Sequence, residues 1–330
     1  MRTGIAARCR AGGRLPGSLK PSDPALFYRG TADDPRLGDR ILRLAGAAPP
    51  PAPGTSVAFV GYADDRAVLN GRGRPGAAQG PAELRRFLSR LTPGDHGELD
   101  RVALTDLGDA TADLGDVEQV HSAVEEAALA ALAGGACVVL LGGGHDGAFA
   151  SHSALLRATR GPVAAINVDA HLDVRPLRDG LITSGTPFRR LAERWGERYA
   201  LTELGVQPQH NARAHREWAA ARGFAVLELD EVRGRVAKAF AEALRMPAEA
   251  LAVSLDLDGV EAASAPGVSA PCPDGLTAAD LYACARLAGQ DPRVRVLDVM
   301  ELAPPLDVDG RTARLGAAAI WHFLAGVAAR

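Results

Sequence analysis

Short apolar runs alternate with amphipathic stretches from residue 56 to the C-terminus, and this alternation restricts the chain to few architectures. The runs at 56–62, 102–107, 136–141, 163–168, 199–206, 225–229, 250–256 and 293–300 read as strands. Between them, 80–91, 116–132, 147–158, 187–195, 210–222, 233–245, 277–288 and 311–328 read as helices. In 116–132, Val120, Val124, Ala127, Ala128 and Leu132 recur at spacings of three and four. Gly80-Pro81 puts proline in a first helical turn, where its missing N–H costs nothing. The alternation predicts an α/β fold, a three-layer α/β/α sandwich with a mainly parallel sheet. In such sheets the ligand crevice lies at the carboxyl ends of the strands, where strand order reverses.

Three of these strands run into residues of one chemical kind. The stretch Ile166-Asn167-Val168 continues into Asp169, His171 and Asp173, whose side chains, two residues apart, project to one side. Cys137–Leu141 is followed by Gly142-Gly143-Gly144-His145-Asp146, and Ala250–Val253 by Ser254-Leu255-Asp256-Leu257-Asp258. Alone, a triple glycine before histidine is more often a turn or phosphate loop, and Asp-x-Asp after a strand more often a turn or helix cap. Asp-x-His-x-Asp weighs more, because packing gives no reason to bury three ionisable groups in register at the cost of their hydration. Together His145, Asp169, His171, Asp173, Asp256 and Asp258 offer four carboxylates and two imidazoles. That exceeds the needs of one catalytic ion with an open position and suits two ions bridged by carboxylates. A thiolate-free, oxygen-rich set favours Mn2+ over structural zinc. The chemistry implied is metal-assisted hydrolysis.

Composition narrows the remaining classes. With 330 residues, 47% of them hydrophobic and 23% charged, the chain can bury a large core. A net charge of -3 gives no basic field for nucleic acid or an anionic membrane, and no apolar stretch is long enough to span one. Arg2, Arg8 and Arg10 are followed by a stretch broken by Arg and Gly, so no signal-peptide core is expected. The four cysteines, Cys9, Cys137, Cys272 and Cys284, lack CxxC spacing and read as reduced thiols in a cytoplasm. Residues 1–54 read as a peripheral, flexible extension with one helical hint at 37–44 and a proline-rich connector at 48–54. Residues 55–330 are then expected to form a single catalytic domain. His152 reads as a packed or capped helix residue rather than one of the site, His210, His215 and His322 as surface or helix residues, and His96 as a turn.

In this order and at these separations, GGGHD (142–146), DAHLDVR (169–175) and SLDLD (254–258) resemble the signature segments of the ureohydrolase superfamily of arginases, agmatinases and formimidoylglutamases. The resemblance runs from about Val57 to the C-terminus. It implies an arginase-like fold, two Mn2+ per subunit on the six residues above, and water attack on an amidine or guanidine carbon. It also implies a trimer or hexamer. Asp173 would be both metal ligand and the residue that passes a proton to the leaving amine. Glu301, in Val299-Met300-Glu301-Leu302, would grip the cationic amidinium; its plainer reading is a solvated residue after the last strand.

Further strings resemble the formimidoylglutamase branch: Ser184-Gly185-Thr186-Pro187-Phe188-Arg189, Ala265–Pro271, and Asn70–Ala77. Arginases carry a proton-shuttling histidine after the metal loop, whereas here none lies between His171 and His210. The implied reaction is N-formimidoyl-L-glutamate plus water to L-glutamate plus formamide, a step of histidine degradation. That substrate carries two carboxylates, so cationic donors are expected around it. Arg175, two residues beyond Asp173, is the first candidate, with Arg189, Arg74 and Arg72 after it and Asn70, Ser184 and Thr186 as polar contacts. An arginine there serves equally to balance the carboxylates. Asp146 in place of the branch's Glu, Glu261 in place of an Asp, and Ala303-Pro304 in place of Asn-Pro depart from the pattern. A guanidino-compound hydrolase releasing urea therefore stays open as the alternative. A silent metal-binding homologue is a third reading, opposed by the intact ligand set.

Overall fold

The computed structural model describes residues 19–44 and 55–330. Its strands are β1 (Ile41–Arg43), β2 (Thr55–Ala63), β3 (Val102–Thr111), β4 (Cys137–Leu141), β5 (Val163–Val168), β6 (Tyr199–Val206), β7 (Ala225–Glu228), β8 (Ala250–Asp256) and β9 (Val294–Met300). They form one sheet in the order β1-β3-β2-β4-β9-β8-β5-β6-β7, parallel at every pairing. A parallel strand buried on both faces must be apolar at successive positions, and β4 is buried throughout. Cys137, Val139 and Leu141 join the core on one face, where helices at 80–88, 236–243, 278–290 and 311–328 cover the sheet. Val138 and Leu140 join the core on the other, under helices at 117–133, 148–158 and 187–195. This is the α/β/α sandwich expected from the alternation.

Strand order explains where a site can form. The chain lays down β2, β3 and β4, then crosses to β5, β6 and β7, leaving between β4 and β5 a gap that β9 and β8 fill. The three ligand-bearing segments and Glu301 thus follow four adjacent central strands, β4, β9, β8 and β5.

Two local expectations fail. The helix expected at 233–245 is shorter, Val236–Ala243: Gly234, whose φ of 74° interrupts helical geometry, holds back its start and separates it from a preceding turn at Leu229–Val232. The helix expected at 210–222 begins only at Arg213, after a short turn at Pro208–His210. Residues 1–54 also do not all stand apart. After one helical turn at Leu37–Arg40, β1 pairs with β3, and Leu19, Phe27, Leu37 and Ile41 are buried in the two cores. Strand pairing there overrides a weak helical tendency. Cys9 and the proline-rich connector lie outside the described residues; Cys137, Cys272 and Cys284 are buried and free. No described helix is long and apolar enough to cross a membrane.

The N-terminal segment is tied down through a buried ion cluster. Arg85, 1% exposed, donates to Asp106 and, at 2.6 Å, to Asp109, while Ser22 Oγ donates to Asp106 at 2.8 Å. Removing the cation would strand two carboxylates in the interior. Arg85→Leu is therefore expected to cost about 3–5 kcal/mol, the usual consequence of breaking a buried pair from one side. The check is the denaturant midpoint, which should fall; an unchanged midpoint would mean that the cluster carries no stability.

Candidate active site

The loop after β4 owes its course to two glycines. Gly142 and Gly143 have φ of 56° and 81°, and a Cβ on Gly143 would lie 2.1 Å from the Tyr62 carbonyl oxygen. The chain thereby drops against β9, with Gly142 N–H donating to Val299 O at 2.7 Å, and brings His145 into a short turn that leads to the helix at 148–158. Asp256 is the last residue of β8 and Asp169 follows β5 directly. His171 N–H donates to Asp169 Oδ1 at 2.7 Å, and Asp258 N–H to Asp256 Oδ1 at 2.8 Å.

All six candidate ligands converge in two overlapping groups, His145 with Asp169, Asp173 and Asp256, and His171 with Asp169 and Asp258. His145 Nδ1 lies 2.8 Å from Asp256, 3.0 Å from Asp173 and 3.3 Å from Asp169. His171 Nδ1 is 3.3 Å from both Asp169 and Asp258. His145 Nδ1 is buried and has no hydrogen-bond partner. A buried, unpartnered imidazole nitrogen encircled by three carboxylate oxygens fits a cation, and Asp169, common to both groups, fits a bridge between two. On the far side of the ring, His145 Nε2 meets Ser254 Oγ at 2.8 Å, which fixes the ring's orientation. Asn167 Nδ2 likewise donates to Asp169 at 3.2 Å and to the buried Glu203 at 2.9 Å.

Electrostatics express the same crowding. Burial, then Asp258 and Asp169, push the Asp256 carboxyl well above the usual range, and burial raises Asp258 to about 7. Burial alone would lower the pKa of His145, but Asp256, Asp169 and Asp173 raise it far above the ordinary imidazole value. Over this cluster opens a cleft of about 300 Å³ lined by His171, Asp173, Asp256, Asp258, Glu301 and Arg175 among others. Glu301 is buried; its Oε1 accepts the His145 backbone N–H at 2.8 Å, and its own N–H donates to Gly143 O at 2.9 Å.

The sequence model of the arginase family matches residues 55–326. The chain belongs to the arginase family. A formimidoylglutamase of Aromatoleum aromaticum is 36% identical to it, covering 90% of this chain and 91% of that protein. One from Halobacterium salinarum is 35% identical, covering 92% and 98%. The crystal structure of Trypanosoma cruzi formiminoglutamase with Mn2+ superposes with a TM-score of 0.81 at 33% identity, covering 90% of this chain and all of that one.

Within this arginase-family cleft the expected contacts fare unevenly. Arg175 and Ser184 line it, as do Arg72 and Arg74. Arg74 already donates to the Ser269 and Val268 carbonyls, at 2.9 and 2.7 Å. Thr186 does not reach the cleft: it is fully buried and its hydroxyl donates to Thr183 O at 2.7 Å before the helix at 187–195. Arg189 is also turned away, pairing with Glu193 at 2.8 Å and stacking on Trp218. Asn70 lines a neighbouring cavity, its amide donating to Ile182 O at 2.9 Å. Asp146 points away from the ligand groups, to Tyr62 at 2.5 Å and His121 at 2.8 Å. His152 is packed between Tyr199 and Asp298, as read from the sequence.

His210 and His215, read as surface or helix residues, line the neighbouring cavity, and the His210 ring lies 5.5 Å from that of His171. No local signal marks them. They arrive because the turn after β6 is stitched to the metal loop, Asn211 bonding Leu172 N–H and Ala170 O, each at 2.9 Å. Ser254 and Asn167 did carry a signal: each extends the two-residue ligand spacing one step back into an otherwise apolar strand.

Two outcomes are expected. Ser254→Ala should weaken Mn2+ binding about 10- to 100-fold, the usual cost of losing a partner behind a metal-binding imidazole, as read by competition with a chelator. Ligand carboxylates must be ionised to bind, and burial holds Asp258 near 7, so Mn2+ affinity should fall as pH drops through about 7. Calorimetry in buffers of different ionisation enthalpy should register proton release on binding; its absence would contradict the arrangement.

Proposed function

We propose that the protein is a two-manganese hydrolase of a linear amidine, N-formimidoyl-L-glutamate, yielding L-glutamate and formamide. The observation that carries the reading is the convergence of all six ligands beneath a cleft whose rim holds Arg175, in a chain whose relatives named above are formimidoylglutamases. Two Mn2+ would sit on His145, Asp169, Asp173, Asp256, His171 and Asp258, and when bound they supply activation of water at neutral pH.

The chain's own residues do the rest. Asp173 is ligand and proton carrier, taking the proton of the attacking water and delivering it to the amine as the carbon–nitrogen bond breaks. Glu301 lines the cleft with a carboxylate pushed well above its usual pKa, first by burial and then by Asp256; an amidinium supplies the counter-charge it lacks. Arg175 holds a substrate carboxylate. It is set in place by Gly185, where a Cβ would come within 2.7 Å of its Cδ, and by its backbone N–H, which donates to Gly185 O at 2.8 Å. One catalytic unit that takes in the segment at 19–44 as well as residues 55–330, a cytoplasmic location, a role in histidine degradation and a trimer or hexamer complete the reading, the last three on the strength of the family resemblance.

The test is a product assay on the manganese-loaded protein with N-formimidoyl-L-glutamate, agmatine, guanidinobutyrate and arginine side by side. Formamide from the first substrate alone is expected; urea from any other would move the enzyme to the guanidino-hydrolysing branch. Arg175→Met should raise KM about 10- to 100-fold, the loss of one charge-assisted hydrogen-bonding group, and Gly185→Ala should raise it in the same direction by displacing that guanidinium. Wild-type KM in both variants would remove Arg175 from substrate binding.

A further inference from the structure

Beside the metal-facing cleft lies a larger cavity of about 540 Å³, and the two share Gly71, Arg72 and Arg175. Arg72, Arg175 and Arg178 all line the outer cavity. Neighbouring guanidiniums are engaged, Arg74 on two carbonyls and Arg189 on Glu193, but these three have no carboxylate within ion-pair distance and no side-chain hydrogen bond among the described residues. Asp179 lines the same cavity and pairs with none of them. Arg72 and Arg178 are exposed and Arg175 is half-buried, so water solvates them, but three cations on one cavity wall with no carboxylate partner still give a positive field that favours an arriving anion.

The surroundings are built rather than incidental. Arg178 and Leu181 pair across a turn whose central residues, Asp179 and Gly180, have φ of 52° and 75°, the geometry of a tight two-residue hairpin. Arg178 therefore sits at the base of a fixed hairpin. Thr183 also lines this cavity, and its Oγ1 is buried with no hydrogen-bond partner. His215 lines the wall with an imidazole whose pKa is lowered by burial and then by Arg175 and Arg178, so it adds a hydrogen-bonding group without a fourth positive charge.

We infer that the outer cavity is a second carboxylate subsite, in which Arg178 and Arg72 hold the distal carboxylate of a dicarboxylic substrate. Arg175, common to both cavities, takes the carboxylate nearer the scissile bond. The two-carboxylate assignment rests on the formimidoylglutamate reading, whose substrate carries one carboxylate beside the amidine nitrogen and the other at the end of a flexible arm. Arg178 and Arg72 are then specificity determinants: they admit substrates with a second negative charge and leave the reacting atoms alone.

The experiment uses the full-length, manganese-loaded protein and glutarate, a dicarboxylate that cannot react. Calorimetry should show glutarate binding to wild type, weakened about 10- to 100-fold in Arg178→Met and in Arg72→Met, as expected for loss of a charged hydrogen-bonding partner. The same variants should lose most of the wild-type preference, in kcat/KM, for N-formimidoyl-L-glutamate over N-formimidoylglycine, which lacks the second carboxylate. Glutarate binding that is absent in wild type, or unchanged in both variants, overturns the subsite. Absence of formamide from wild type with either formimidoyl substrate instead overturns the functional reading while leaving the glutarate result to stand or fall by itself.

Discussion

Mutual repulsion among buried carboxylates is the constraint around which the rest of the structure is arranged. Asp169, Asp173, Asp256 and Asp258 are each at most 8% exposed and lie within a few ångströms of one another. Two like charges about 4 Å apart repel by roughly 4 kcal/mol even at an effective dielectric constant of about 20. Holding four of them together calls for cations and for a frame that cannot relax. The frame is partly made by the backbone of the site's own residues. Asp169 accepts the backbone N–H of His171, Asp256 that of Asp258, and Glu301 that of His145. Each carboxylate is thus aimed by the backbone of another member of the site, and displacement of one ligand is felt by the next.

Sheet topology supplies the rigidity behind these loops. β9 and β8 slot between β4 and β5, so each ligand segment leaves a strand that is paired on both sides and covered on both faces. β9 carries no ligand, yet it holds the first loop through Gly142 N–H on Val299 and then positions Glu301 at its own end. The strands completing the site are the last two in the sequence. Every pairing that assembles it is therefore long-range, and the site exists only when nearly the whole sheet does.

Much of this was legible in the sequence because two periodicities coincide with it. The two-residue spacing singled out Asp169, His171 and Asp173, and alternation of strands with helices placed them at a parallel sheet's carboxyl edge. The strand itself ends at Val168, and a loop with Asp173 at φ 46°, not a continued strand period, brings the three to the site. What stayed hidden depends on tertiary pairing. Leu37 to Leu44 carries a helical pattern, but Ile41 finds a partner in Leu104 of β3, and half of the stretch becomes an edge strand. Thr186 and Arg189 belong to a string with the right resemblance, yet the helix that begins at Pro187 turns one into the core and the other onto Trp218. Arg178 and Thr183 follow β5, His210 and His215 follow β6, and the two segments meet only through the β5–β6 pairing and its loops. Spacing along the chain cannot report such a meeting.

Backbone strain marks the same region independently of side-chain chemistry. Among the described residues, five non-glycine residues have positive φ: Arg72, Asp173, Asp179, Glu301 and Asp309. The first four line the metal-facing cleft or the cavity beside it. Each such conformation costs about 1–3 kcal/mol and persists only where its surroundings over-determine it. For Glu301 they do, through its N–H on Gly143 O and its carboxylate on His145 N–H; for Asp173 the neighbouring constraints are Phe188 N–H on its own carbonyl and Arg175 N–H on Gly185 O. Glycine would relieve the strain at Asp173 or Glu301 and would remove the carboxylate that faces the cleft; at Asp179 the conformation belongs to the hairpin turn. Arg72 and Asp179 are exposed, but Asp173 and Glu301 are buried, so at these two positions the fold places unfavourable backbone where a carboxylate faces inward, and its buried central strands provide the stability that permits it.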